Sequence, residues 1–128
     1  MVTFGSAVFG GAFRTLLNTQ RRYIVKVVKT PEEYEAGLKV KDYALAKFSA
    51  SWCKPCQKSK VFVEELSDEH PEFHFLEVDV DELPQIADEE GVKSIPMYKI
   101  FKHGKVIDIH IGGDKQQLKE VIQKCQPG

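Results

Sequence analysis

An α/β domain, with a central mixed β-sheet flanked by helices on both faces, is the fold the sequence predicts, and three observations carry that expectation. Segments of strand and helix character alternate as β-α-β-α-β-α-β-β-α over residues 23–125, an order that makes neighbouring strands parallel wherever a helix intervenes. Residues 73–80 are apolar on both sides, with Phe73 and Phe75 on one and Leu76, Val78 and Val80 on the other. That pattern fits a central strand covered by helices twice. Residues 98–101 and 106–111 flank Lys102-His103-Gly104-Lys105, which reads as an antiparallel hairpin closing the sheet.

Each element has a local reason. Tyr23-Ile24-Val25-Lys26-Val27-Val28 is β-rich and forms a first strand. Thr30-Pro31-Glu32-Glu33 supplies an N-cap, a proline at the first helical position and a glutamate at the third, a capping box opening a helix to about Leu38. Tyr43 to Phe48 is a short apolar strand. In the helix that follows, Ser59, Phe62, Val63 and Leu66 recur at i, i+3, i+4 and i+7, while Lys58, Lys60, Glu64 and Glu65 stay wet. After the 73–80 strand, Leu83-Pro84 opens a short helix to Glu90, closed by Gly91 at C′. Asp114 caps the last helix, whose stripe is Leu118, Val121, Ile122 and Cys125. On that stripe Cys125 reads as an inert core thiol, with a regulatory or chain-pairing role as the alternative.

Size and charge bound the function. A chain of 128 residues and 14.5 kDa suits one domain with a real core. Its net charge of −1, from 18 basic and 19 acidic residues, gives no reason to expect nucleic acid. No apolar run reaches the roughly 18 to 20 residues of a membrane span, so no membrane is expected. Three cysteines do not make a secreted disulfide framework, and the thiols read as catalytic rather than stapling.

The division expected is an N-terminal extension over residues 1–22 and one domain over residues 23–128. The extension has no acidic residue, carries Arg14, Arg21 and Arg22, and sets Phe9, Phe13, Leu16 and Leu17 on one stripe if helical. It resembles a mitochondrial transit peptide, which would direct the domain to the mitochondrial matrix. A secretory signal fits less well, because the arginines follow the apolar part. An unprocessed flexible tail, with a cytoplasmic protein, is the other alternative.

The chemistry concentrates at Ser51-Trp52-Cys53-Lys54-Pro55-Cys56, where the strand ending at Phe48 passes into a helix. Two cysteines at this spacing can close a small disulfide ring on a first helical turn. Unpaired N–H groups and the positive end of the dipole there favour a thiolate on the leading sulfur. Cys53 is therefore the candidate nucleophile and Cys56 the candidate resolving thiol. Half of a zinc site would look similar, but zinc needs a second ligand pair. Cys125 is alone, and His70, His74, His103 and His110 show no paired spacing. No metal or organic cofactor is required.

Several ordered motifs over residues 23–125 resemble the thioredoxin family: Phe48 through Cys56, the strand Phe75-Leu76-Glu77-Val78-Asp79-Val80-Asp81, the Ile95-Pro96 step, Phe101-Lys102-His103-Gly104-Lys105, and Gly112-Gly113 before the last helix. The resemblance implies the thioredoxin fold, an exposed attacking Cys53 and a more buried Cys56. It implies that Trp52 covers the disulfide and meets substrate, and that Pro96 is a cis-proline facing the cysteines. Ile95 would then pair its backbone with the substrate chain, and Gly112 would leave room beside it. Rereduction by an NADPH-dependent thioredoxin reductase, disulfide-containing client proteins as substrates and a monomeric state complete the expectation.

The chain departs from the family where a buried aspartate usually precedes the tryptophan by five residues, because here the residue is Lys47. Three placements stay open for it: buried and neutral, accepting a proton; charged and stabilising thiolates; or snorkelling its amine to the surface. Lys54 replaces the usual glycine after the first cysteine, and its charge, ahead of Pro55, favours the Cys53 thiolate and a more oxidising dithiol. Val61 stands where the family often has a helix-kinking proline. The leading functional reading is reduction of protein disulfides by dithiol–disulfide exchange. A disulfide oxidase or isomerase using the same cysteines, and a redox-sensitive binding module, are the alternatives.

Overall fold

The computed structural model describes residues 24–126. The expected extension over residues 1–22, and Tyr23 of the first strand, lie outside the described residues. The described residues form nine elements in the expected order: β1 Lys26–Val27, α1 Pro31–Gly37, β2 Tyr43–Ser49, α2 Lys54–Glu69, β3 Phe73–Asp79, α3 Pro84–Glu89, β4 Met97–Lys102, β5 Lys105–Ile111 and α4 Lys115–Cys125. The five strands form one sheet in the order β1-β3-β2-β4-β5. β1 and β2 run parallel to β3, while β4 is antiparallel to both β2 and β5.

The first strand is shorter than its β-rich sequence suggests. Among the described residues of this segment only Lys26 and Val27 pair, with Leu76 and Glu77 at the sheet edge, and both are exposed. The cap of α1 forms as expected: the Thr30 hydroxyl accepts from the Glu33 N–H at 3.1 Å, and Glu33 accepts from the Lys29 N–H at 2.9 Å. Helix α2 starts directly after Cys53 and runs without interruption to Glu69. The β4–β5 hairpin turns on His103 and Gly104, both at positive φ of 52° and 79°. Two consecutive positive φ values make the tight hairpin turn whose twist matches the strands.

Period-2 alternation divides the core into two layers. Ala44, Ala46 and Phe48 of β2 face Tyr34 and Leu38 of the α1 segment and Ile86 of α3. Tyr43 and Leu45 face the other way, against Val63 and Leu66 of α2 and Leu118 and Ile122 of α4. β2 is buried along its whole length, as a central strand between two helical layers should be. β5 differs: Val106, Ile107, Ile109 and Ile111 are all exposed, because the strand lies at the open edge of the sheet.

Candidate active site

The carboxyl end of β2 delivers the chain straight into α2, and this junction determines the geometry. Cys53 is the N-cap of α2, with extended φ and ψ of −84° and 106°. Its N–H donates to the Ala50 carbonyl at 3.2 Å and its carbonyl accepts from the Gln57 N–H at 3.1 Å. The Gln57 amide also donates to the Ala50 carbonyl, at 3.0 Å. Three contacts thus tie the turn on both sides of the sulfur.

Cys53 and Cys56 are joined as a disulfide, their Cα atoms 5.3 Å apart. The Cys56 N–H points at the Cys53 sulfur at 3.3 Å. Once the bond is reduced, the same N–H and the positive end of a 16-residue helix face the Cys53 sulfur and favour its thiolate. Cys53 is 5% exposed and Cys56 1%, so the leading sulfur is the more accessible of the pair. Lys54 and Pro55 follow it on the exposed side of the first turn.

The walls of the site come from distant parts of the chain. Ile95 and Val80 pack against the cluster of Ala50, Cys53 and Cys56. The Ile95–Pro96 bond is cis, the isomer the resemblance implies. The Gly112 N–H donates to the Pro96 carbonyl at 2.9 Å, at a φ of 114° that a side chain would strain. Gly113 lies against Pro55. Trp52 is 67% exposed, and its indole N–H donates to the Asp81 carboxylate at 2.7 Å, which ties the residue before Cys53 to the segment after β3.

Lys47 lies beneath the first turn of α2 and is 1% exposed, so of the three placements left open the one with its amine at the surface does not hold. The reason is register: Lys47 is flanked by Glu77 on β3 and Tyr98 on β4, and α2 closes over it. Its amine donates to the Cys56 carbonyl at 2.8 Å, and the Ser59 hydroxyl donates to the same carbonyl, also at 2.8 Å. Burial pushes the Lys47 ammonium down from its ordinary range, against the attraction of Glu77; Lys60 lowers it further and Glu64 opposes. Glu77 carries no role in the sequence reading, although a carboxylate on the apolar row of Phe73 and Phe75 was an available signal. Cys125 is half-buried against the second core layer, far along the chain from this site. Burial, helped by Asp108, pushes its thiol up and disfavours a thiolate.

A mixed sheet that presents a closable cysteine pair at the start of its first long helix defines a class of proteins that exchange a dithiol for a disulfide. Comparison with known proteins makes the assignment specific: residues 25–124 match the Thioredoxin family model, and the chain belongs to the thioredoxin family. It is 32% identical over 101 residues to Thioredoxin 1 of Plasmodium falciparum (isolate 3D7), an alignment covering 79% of this chain and 97% of that protein. With a Thioredoxin H-type of Ricinus communis it shares 39% identity over 93 residues, 73% of this chain and 79% of the relative. Among solved structures, mitochondrial thioredoxin 3 from Saccharomyces cerevisiae in its oxidized form superposes with a TM-score of 0.75 at 28% identity, covering 81% of this chain and 98% of that one. The protein is a thiol–disulfide oxidoreductase that reduces protein disulfides, and the Cys53–Cys56 pair is its redox centre.

Proposed function

We propose a division of labour within that centre. The Cys53 thiolate attacks one sulfur of a client disulfide, and the other client sulfur leaves as a thiolate that takes a proton from water. The Cys56 thiolate then attacks the Cys53 sulfur and expels the remaining client sulfur, and the Cys53–Cys56 bond closes with two electrons delivered to the client. The observation that carries this order is the Cys56 N–H aimed at the sulfur of the more exposed Cys53. Trp52, Ile95, Pro96 and Gly112 form the client face, a reading supported by Ile95 packing on the cysteine cluster, the cis bond to Pro96, the Gly112 N–H on the Pro96 carbonyl and the exposure of Trp52 next to Cys53 in the chain. Lys54 and Pro55 tune the first turn from its exposed side, and Lys47 from beneath.

The oxidised protein is returned to the dithiol by an NADPH-dependent thioredoxin reductase, and the working unit is a monomer, since one chain completes the site. The redox potential tests the direction of flow. A value near about −270 mV is expected for a reductant, and one above about −200 mV would overturn the reading in favour of an oxidase or isomerase. The compartment proposed is the mitochondrial matrix, with the cytoplasm as alternative, on the strength of the acid-free, arginine-bearing residues 1–22. Fused to a fluorescent protein, those residues are expected to direct it to mitochondria; diffuse fluorescence would refute the matrix assignment.

A further inference from the structure

Glu77, Lys47, Tyr98 and His110 stand side by side across four strands, each paired in register with the next. They share the sheet face that α2 and α4 cover, where β2, β3 and β4 otherwise present Leu45, Phe75 and Ile100. A row of ionisable groups inside an apolar layer costs stability unless its members are paired. Pairing here is incomplete. The buried Tyr98 hydroxyl makes no sound hydrogen bond, although it faces Ser59, and His110, stacked on Tyr98 at 5.9 Å between centroids, has an unpartnered Nε2.

The Lys47 amine has one hydrogen-bond acceptor among the described residues, the Cys56 carbonyl, which it shares with Ser59. An ammonium has three protons to satisfy, whereas a neutral amine donating once keeps a lone pair free. That amine lies against the residue whose thiol must lose its proton before the mixed disulfide can be resolved. We propose that Lys47 accepts the proton of Cys56 during resolution, and that Glu77, its strand neighbour, is the positioning residue that stabilises the ammonium so formed. This rests on the reading in which Cys53 attacks and Cys56 resolves.

The step balances. The Cys56 thiol gives its proton to the Lys47 amine, and the sulfur attacks the Cys53 sulfur. As the new disulfide forms, the client sulfur departs as a thiolate, and the proton passes from the ammonium to that thiolate through solvent. Glu77 is half-buried and Ser49 donates to it at 3.4 Å, so the negative end of the pair keeps some contact with water. The charged and titratable groups around Lys47 are Glu77 from β3, Tyr98 from β4 with His110 of β5 behind it, and Lys60 and Glu64 from α2. Helix α4 offers this layer the apolar Leu118 and Ile122, with Glu120 and Lys124 bordering His110 at the surface.

The test uses the reduced full chain carrying Cys125→Ser and one equivalent of 5,5′-dithiobis(2-nitrobenzoate), following release of the two nitrothiobenzoate equivalents in single turnover across pH 5 to 10. The second equivalent reports attack by Cys56. Lys47→Met and Lys47→Arg are both expected to slow it at least about tenfold at pH 7, the low side of what a positioned proton acceptor contributes. Both should also move the midpoint of its pH profile up toward about 8.5, that of an unassisted thiol. Glu77→Gln, isosteric and half-exposed, keeps the proposal testable if the Lys47 variants do not fold. It is expected to slow the second release about threefold and lower the midpoint, since without the countercharge the Lys47 ammonium gives up its proton at lower pH and the amine is a weaker acceptor. An unchanged rate and profile in Lys47→Arg would show that charge alone suffices and would overturn the proposal, as would an unchanged profile in Glu77→Gln. Release of both equivalents at native rate by Cys56→Ser would instead refute the underlying order of attack.

Discussion

Replacing Cys53 by serine is expected to abolish disulfide reduction, lowering the rate of NADPH-coupled insulin reduction by about 10³-fold or more. A serine hydroxyl stays protonated near pH 7 even at a helix N-terminus, and it does not attack sulfur. Cys56 cannot substitute, because it is 1% exposed, with α2 and Ile95 around it. The partner variant gives a different result: Cys56→Ser keeps the attacking sulfur but loses the resolving one. Each molecule should therefore stop as a covalent adduct with its client, visible by mass and reversed by added dithiol. Full activity in Cys53→Ser, or an adduct formed through Cys56, would reverse the assigned roles.

The order of elements was legible because each has a local cause: the Thr30 capping box, the alternation along residues 73–80, the His103-Gly104 turn and the stripe of α4. The redox cysteine pair was legible for the same reason, since a strand, two cysteines three apart and a helix are consecutive in sequence. Lys47 was not, because a long side chain has both buried and surface-reaching conformers. The choice between them is made by Glu77 and Tyr98, which lie 30 and 51 positions further along the chain and are placed beside it by strand pairing. Residues 26–27 carry the same β-rich composition as longer strands, yet the ladder stops at two pairs at the sheet edge. The exposure of Ile107, Ile109 and Ile111 was likewise hidden, since an apolar strand reads the same at an edge as at the centre. The last case is Glu90, which resembled any acidic residue ending a helix.

Glu90→Ala is expected to cost about 3 kcal/mol of stability, and so to lower Tm by roughly 10–20 °C for a domain of this size. Glu90 follows α3 as its C-cap, and its carboxylate accepts from two buried donors. The Tyr34 hydroxyl of α1 donates at 2.7 Å and the Lys99 amine of β4 at 2.9 Å, while the Glu90 carbonyl accepts a second contact from Lys99. One side chain thus links α1, the end of α3 and the central sheet. Truncation leaves the Lys99 ammonium buried without its countercharge and the Tyr34 hydroxyl without an acceptor. The adjustment from the usual cost of breaking a buried pair is downward, because the Glu90 side chain is partly exposed. Alkaline pH probes the same cluster. Burial first, then the bond and charge of Glu90, push the Tyr34 phenol well above its ordinary range. The folded state therefore keeps a proton that the unfolded state releases, and the stability this contributes is present below about pH 10 and lost as pH rises beyond it. That alkaline loss should be shallower in Glu90→Ala, which lacks the bond and charge. Adding Lys99→Met to Glu90→Ala should recover part of the lost stability if the unpaired ammonium is the main penalty. A single variant within 0.5 kcal/mol of the parent, or no recovery in the double, would show that the cluster does not hold the fold in this way.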